Sequence, residues 1–180
     1  IHLSTAIVII SLIFWLVINI KLNKKKIFFI FSFENLPFQF LLLLIFFQVI
    51  VGAFVSGLDA GKIYPTWPKM GDTFIPNDLY FKNINDFFNF DNHSLVQFYH
   101  RSLAYIIFLY VLVLTFFIYE KKLVNLFKPV KILISILLLQ AILGIFTLVS
   151  GLNIFLASAH QITSVLLVFS ALNLYYLRTK

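Results

Sequence analysis

Three of the four histidines in this sequence fall inside long apolar stretches: His2, His100 and His160. Burying an ionisable side chain in hydrocarbon costs free energy. An ionisable residue within a membrane segment is therefore first considered as part of a functional site. An imidazole nitrogen is a common metal ligand and binds heme iron in several protein classes. The simpler alternative is a histidine that only hydrogen-bonds to a neighbouring helix. The spacing of the histidines helps to choose between these two interpretations.

All three histidines are similarly distant from the charged residue at the far end of their apolar stretch. The separations are 19 residues from His2 to Lys21, 20 from His100 to Glu120 and 18 from His160 to Arg178. At a helical rise of about 1.5 Å per residue, these depths agree to within about 3 Å. The spacing therefore predicts three imidazoles at one level of a helical assembly.

Two imidazoles at one level on neighbouring helices can approach a metal from opposite sides, as the axial ligands of heme iron do. A bundle interior of Leu, Ile and Phe also suits the apolar porphyrin. Zinc is less favoured, because no carboxylate lies at this level and the sequence has no cysteine. The histidine pattern therefore favours heme.

Arg101 directly follows His100 and has two interpretations. Its fork of N–H donors suits a carboxylate such as a heme propionate at the edge of the membrane. Alternatively, the side chain extends to lipid headgroups, as long cationic side chains do near helix ends. The sequence alone leaves both interpretations open.

The elements that position these residues are membrane-spanning helices. Of the 180 residues, 61% are hydrophobic and only 12% are charged, and the mean hydropathy is +0.98. These values exclude an ordinary soluble domain. Five stretches have the approximately 20 apolar residues that a span requires, namely 2–20, 37–57, 94–119, 130–150 and 153–177. The sequence predicts an all-α integral membrane protein.

The charges of the connections predict the orientation of the helices. Residues 21–36 and 120–131 are rich in lysine, whereas residues 58–93 carry five Asp against three Lys. Basic connections lie on the cytoplasmic side of a membrane. We therefore expect 58–93 to lie outside and the C-terminus inside. The net charge of +7 follows from this asymmetry, and nucleic-acid binding is not favoured.

The long outer connection, 58–93, contains several glycines and prolines that prevent a continuous helix. One interpretation is a simple connection with interfacial aromatic anchors. The other is a structured lid over a bound molecule, formed by Asp59, Tyr64 and Trp67. We favour the lid, because long loops in compact proteins usually have a function.

An internal repeat relates two helix pairs. Gln48 and Gly52 have the same spacing as Gln140 and Gly144, and each pair precedes a histidine-bearing helix. Glycine permits close helix approach, and glutamine can hydrogen-bond across helices. The repeat predicts a four-helix bundle within residues 37–180.

The predicted domains follow from this bundle. Residues 1–20 are expected to be the last helix of a preceding N-terminal bundle, and 21–36 a cytoplasmic basic linker. His2 would then be half of a second site whose partner histidine lies outside this sequence. This arrangement corresponds to the C-terminal part of a longer protein.

Several motifs resemble the C-terminal half of the heme A synthase family. They are GAFVSGLDAGKIYPTWPKMGDTFIP, VQFYHRSLAY and LGIFTLVSGLNIFLASAHQITSVLL, and IHLSTAIVIISLIFWLVI resembles the fourth helix of that family. The resemblance implies eight helices in two related four-helix halves. It also implies oxidation of a porphyrin methyl of heme O to the formyl group of heme A, which supplies cytochrome c oxidase.

The same resemblance implies roles for individual residues. His100 and His160 correspond to axial ligands of a b-type heme, and His2 to a histidine of the N-terminal half. The catalytic glutamate belongs to earlier helices, so no catalytic residue is assigned here. The lack of cysteine matches the cysteine-free members of proteobacteria and mitochondria. The basic chain with short loops favours a bacterial inner membrane over a mitochondrial one.

The implied partners are heme O, the N-terminal half, heme O synthase and oxidase assembly factors. Whether the b-type heme transfers electrons or is structural stays open. A rival function is a di-heme membrane cytochrome that exchanges electrons with quinone, but the glycine-rich outer loop has no evident role there. A transporter is less favoured, since no acid lies within a span and the one lysine, Lys131, lies at the edge of its span.

Overall fold

The computed structural model describes residues 2–179, and this part of the chain is helical. The five long helices are α1 (His2–Lys21), α2 (Leu36–Gly57), α3 (His93–Glu120), α4 (Phe127–Val149) and α5 (Ile154–Arg178). Five helices are long and apolar enough to cross a membrane by length and composition. The predicted all-α, multi-pass membrane architecture is therefore confirmed. Residues 1 and 180 of the predicted domains lie outside the described residues.

Most helix ends lie within two residues of their predicted positions, and α4 differs most. The sequence predicts a start at residue 130, after Pro129, but the helix begins at Phe127. Pro129 therefore occupies the first turn of the helix. The first backbone N–H groups of a helix have no partner within it, so a proline there removes no helical hydrogen bond.

Asparagine side chains cap the two histidine-bearing helices. Asn92 Oδ1 accepts a hydrogen bond from the backbone N–H of Leu95 at the start of α3. Asn153 Oδ1 accepts from the N–H groups of Phe155 and Leu156 at the start of α5. Each cap satisfies N–H groups that have no carbonyl partner within the helix. The caps thus fix the start of α3 seven residues before His100 and the start of α5 six residues before His160.

The helices after α1 contact one another in a closed order. Helix α2 packs against α3 and α5, and α4 packs against α5 and α3, whereas α1 lies on the outside against α5 and α2. Helices α3 and α5 are therefore diagonal, with at most a marginal contact between them in the described part of the chain. This order is consistent with the predicted four-helix bundle and places the two histidine-bearing helices opposite each other.

The buried apolar core occupies one end of this bundle. We call it the basic end, because the lysine-rich connections 22–35 and 121–126 lie there, and we call the opposite end the loop end. Core side chains of the basic end include Leu41 in α2, Ile118 in α3, Leu133 in α4 and Leu172 in α5. Trp15 of α1 joins this core through ring contacts with Phe28, Tyr175 and Tyr176.

Candidate heme site at the loop end

His100 lies on α3 against the glutamine and glycine of α2. Gln48 Nε2 is 3.1 Å from the backbone oxygen of His100 and donates to it. The same amide nitrogen is 3.2 Å from Nδ1 of the imidazole and 3.4 Å from Nε2. Gln48 thus holds both the backbone and the ring of His100. The predicted cross-helix role of this glutamine is observed in the structure.

His160 on α5 has the corresponding surroundings against α4. Gln140 Nε2 donates to the backbone oxygen of His160 at 3.0 Å. The imidazole Nδ1 of His160 lies 3.1 Å from the backbone oxygen of Gln140. The hydroxyl group of Thr163 also donates to Oε1 of Gln140, which fixes the amide orientation. The two helix pairs therefore repeat one local arrangement of histidine and glutamine.

The glycines of the repeat allow each imidazole to lie directly on the neighbouring helix. A Cβ atom built on Gly52 would be 3.0 Å from Cε1 of His100, and one on Gly144 would be 3.0 Å from Cε1 of His160. Contacts this short require the ring to move. Any larger residue at these positions would displace the imidazoles, so both glycines are part of the histidine sites.

The helix segments around the two histidines are less buried than the rest of the bundle. None of residues 46–57, 98–106, 138–149 and 154–166 is buried, although the same helices are well buried towards the basic end and residues 94–97 of α3 are buried where the helix meets the outer loop. Protein interiors are normally close-packed. An unpacked half of a bundle, with a histidine on each diagonal helix, has the character of an apolar ligand site.

The donor set fits an iron porphyrin better than a tetrahedral metal ion. In the described part of the chain, no three His, Cys, Asp or Glu side chains gather as a metal cluster requires. Since a carbonyl oxygen only accepts, Nδ1 of His160 carries the proton. The lone pair that a metal would take is on Nε2, which lies 3.5 Å from the amide nitrogen of Gln140. The tautomer of His100 is undefined, because the amide nitrogen of Gln48 lies near both of its ring nitrogens. The buried Oε1 of Gln48 has no hydrogen-bond partner.

Arg101 points to the outer loop and contacts its backbone. Its Nη1 donates to the backbone oxygens of Thr66 at 2.9 Å and Lys69 at 3.2 Å, and its Nη2 donates to that of Tyr64 at 2.6 Å. Gln97, one turn earlier on α3, donates to the same oxygen of Tyr64 at 3.0 Å. Neither interpretation of Arg101 from the sequence included these contacts, which fold residues 64–69 over the start of α3.

A second set of contacts fixes the same part of the loop through a carboxylate. Tyr64 donates to Oδ1 of Asp78 and Ser94 donates to Oδ2, both at 2.6 Å. The hydrogen bond to Asp78, with partial burial, raises the pKa of the Tyr64 hydroxyl. Burial opposes ionisation of Asp78, but the hydrogen bonds from Ser94 and Tyr64 outweigh it and lower the pKa of its carboxyl group. The ionised carboxylate is thus the form that the folded loop favours.

The start of the outer loop also touches the second helix pair. A Cβ atom on Gly61 would be 2.8 Å from Cδ2 of Leu152, which lies in the turn between α4 and α5. The loop therefore contacts α3 on one side and the α4–α5 turn on the other. These contacts favour the interpretation of the loop as a lid over the unpacked loop end.

The predicted site residues differ in how the structure uses them. Tyr64 joins the contacts between the loop and α3, whereas Asp59 forms an exposed ion pair with Lys62, and Trp67 is 48% exposed. His2 is exposed at the start of α1, away from the residues that surround the other two histidines.

The sequence interpretation did not identify Gln97, Asp78 and Ser94. Gln97 and Arg101 are four residues apart and lie on one helix face, a signal that could have identified Gln97. Asp78 and Ser94 come together only through the path of the loop, which no spacing predicts.

Comparison with known proteins shows which sequences this chain is similar to. A profile of the family COX15-CtaA, described as cytochrome oxidase assembly protein, matches residues 1–172. Heme A synthase of Pelagibacter ubique (strain HTCC1062) is 44% identical over 170 residues, or 94% of this chain and 49% of that protein. Heme A synthase of Wolbachia pipientis subsp. Culex pipiens (strain wPip) is 37% identical over 99% of this chain and 53% of its own length.

More distant sequences give the same coverage. Heme A synthase of Rickettsia prowazekii (strain Madrid E) is 31% identical over 98% of this chain and 52% of its own length. The chain thus spans about half the length of the curated relatives that it matches. No solved structure matches the chain significantly.

Proposed function

The chain belongs to the COX15-CtaA family of cytochrome oxidase assembly proteins, and we propose that it supplies the b-type heme site of a heme A synthase. In this function, the whole enzyme oxidises a methyl group of heme O to the formyl group of heme A. The product serves cytochrome c oxidase. The enzyme is an oxidoreductase, and this chain acts together with the helices that correspond to the remaining half of its relatives.

One observation carries the proposal. The same unit of histidine, glutamine and glycine occurs on two helix pairs, and the helix segments that carry it, 46–57, 98–106, 138–149 and 154–166, contain no buried residue. A helix–helix packing role for the histidines would not need the surrounding space to stay unpacked. A large apolar cofactor between the diagonal helices accounts for both features.

His100 and His160 would be the axial ligands of the heme. Gln140 holds the backbone and the Nδ1 side of the His160 ring, and Gln48 holds His100. Iron would replace the amide nitrogen of Gln140 as the partner of Nε2 of His160. Arg101 uses three of its five N–H groups on the outer loop, which leaves Nε and one hydrogen of Nη2 for a propionate carboxylate. The bound heme supplies one-electron redox chemistry at this level of the membrane.

The surrounding residues separate this site from water. The outer loop, held by Arg101 and Gln97, covers the loop end, and the packed core closes the basic end. His2 would ligate a second heme in the other half of the enzyme, where heme O is oxidised. Heme O synthase and oxidase assembly factors are the proposed partners, in a bacterial inner membrane with the C-terminus in the cytoplasm.

The function is tested by heme analysis in cells. We expect this chain, expressed together with the N-terminal half of a heme A synthase, to restore heme A in a bacterial strain without heme A synthase, as measured in the pyridine spectra of extracted hemes. His160→Ala should lower the heme A content at least about tenfold, whereas His93→Ala should leave it unchanged. Heme O without heme A in the strain carrying the parent gene would contradict the proposal.

A further inference from the structure

A second cavity lies at the basic end, outside the proposed heme site. It is a cleft of about 600 Å³ between the connection 22–35 and the end of α5. Three consecutive lysines line it, Lys24, Lys25 and Lys26, together with apolar side chains from both segments. A basic cleft with apolar walls between membrane helices is a typical place for an anionic lipid headgroup.

The lysines of this cleft differ in whether their ammonium groups have hydrogen-bond or ion-pair partners within the protein. The ammonium group of Lys26 donates to the backbone oxygens of Tyr176 and Thr179 at the end of α5. Burial, and then the charge of Lys24, lowers the pKa of Lys26. In residues 2–179 the two ion pairs are Lys62–Asp59 and Arg178–Glu34, so neither Lys24 nor Lys25 has an acidic partner. An anion in the cleft would balance their charge.

The residues that follow the lysines have a pattern of exposed apolar side chains that suits contact with lipid. In the non-helical segment 27–33, exposed and less exposed residues alternate. The exposed side chains are all apolar, with exposed fractions of 68% for Ile27, 63% for Phe29, 72% for Phe31 and 88% for Phe33. Side chains with this two-residue period lie on one side of an extended chain. That side is suited to acyl chains rather than to water.

We propose that residues 24–33 bind an anionic phospholipid, with Lys24 and Lys25 on its phosphate group and the exposed apolar row against its acyl chains. The site is fixed to the bundle on its inner side. Lys26 O accepts from Nε1 of Trp15 at 2.9 Å and from Nδ2 of Asn19 at 3.0 Å. These contacts hold the three lysines at the mouth of the cleft.

The chain offers a matched control for the test. Lys121 and Lys122 are also adjacent, exposed and located at the basic end, but they do not line the cleft. Lys24→Gln/Lys25→Gln and Lys121→Gln/Lys122→Gln therefore remove equal charge. The lysine side chains of both pairs are exposed, so neither double variant should disturb the fold, which the melting temperature in detergent checks.

Native mass spectrometry of the full chain measures the binding of phosphatidylglycerol and of zwitterionic phosphatidylcholine. We expect the parent to bind phosphatidylglycerol about tenfold more tightly, from two lysine contacts partly screened by salt. Lys24→Gln/Lys25→Gln should lose this preference, and the control variant should keep it. Equal binding of the two lipids by the parent, or an equal loss in both variants, would overturn the proposal.

A competition experiment distinguishes a lipid from a soluble anion as the occupant of the cleft. Inorganic phosphate is added in excess before the phosphatidylglycerol titration, with chloride at the same ionic strength as reference. A lipid site keeps its affinity, because the acyl chains contribute to binding. Phosphate that abolishes binding would assign the cleft to soluble phosphate and overturn the lipid assignment.

Discussion

At the scale of single residues, the proposed heme site depends on how closely each imidazole approaches the neighbouring helix. His100 lies on Gly52, and His160 lies on Gly144, so that the rings are fixed from one side by backbone and from another by glutamine. Substitution of either glycine by alanine is therefore an informative experiment. The added methyl group changes the position of the imidazole ring without removing a histidine.

Gly52→Ala tests this contact. In a helix, this substitution alone should stabilise by about 0.5–1 kcal/mol, but here the new Cβ would be 3.0 Å from the His100 ring. We expect the heme content of the purified chain, measured by its absorption, to fall severalfold. Gly57→Ala is the control, since a Cβ at Gly57 has no neighbour within 4 Å. Equal heme content in the two variants would show that the contact with His100 is unimportant.

Asp78 gives a prediction for the pH dependence of the outer loop. Its pKa in the folded chain lies below the ordinary value of 3.8, so its contribution to stability is full above 3.8 and is lost as the pH falls through the lower folded value. We expect pepsin cleavage of the loop to rise as the pH falls below the ordinary value of 3.8. Asp78→Asn should be cleaved readily already above this value, and Asp72→Asn should behave as the parent.

At the scale of elements, the helices could be predicted and the loop could not. Apolar length and charge positions locate five spans to within a few residues, and the QxxxG repeat of Gln48–Gly52 and Gln140–Gly144 indicates which helices pair. The loop fold depends on Arg101 binding backbone oxygens. Every residue has such an oxygen, so no sequence pattern shows which ones an arginine will bind.

Arg101→Gln tests the attachment of the loop to α3. It removes three hydrogen bonds to Tyr64, Thr66 and Lys69, each worth about 1.5 kcal/mol when the donor is charged and less where water competes. We expect trypsin to cleave after Lys69 at least about tenfold faster, since cleavage follows the open population of the segment. Lys62→Gln breaks only an exposed ion pair and should not change the rate.

At the scale of the whole molecule, stability is divided unevenly along the bundle. The basic end contains the packed core and the Trp15 cluster, whereas the helix segments that carry His100 and His160 contain no buried residue. Local opening follows the number of buried apolar contacts. The proposed heme would therefore stabilise one half of the molecule, and the other half would hold its fold without it.

Hydrogen exchange of the heme-loaded and heme-free chain measures this division. Without heme, we expect peptides from 46–57 and 154–166 to exchange faster, because they border the unpacked space. Peptides from 107–118 and 167–176, in the packed core, should keep their protection. Uniform loss of protection along all helices would contradict a bundle that is divided in this way.

Heme ligation by His100 and His160 is tested most directly by the reduced-minus-oxidised visible spectrum of the full chain in detergent. We expect a sharp low-spin α-band of b-type heme in the parent and in His93→Ala. We expect loss of that band in His100→Ala and in His160→Ala. A correctly folded parent without heme, or a band that survives both ligand substitutions, would contradict heme ligation by this pair of histidines.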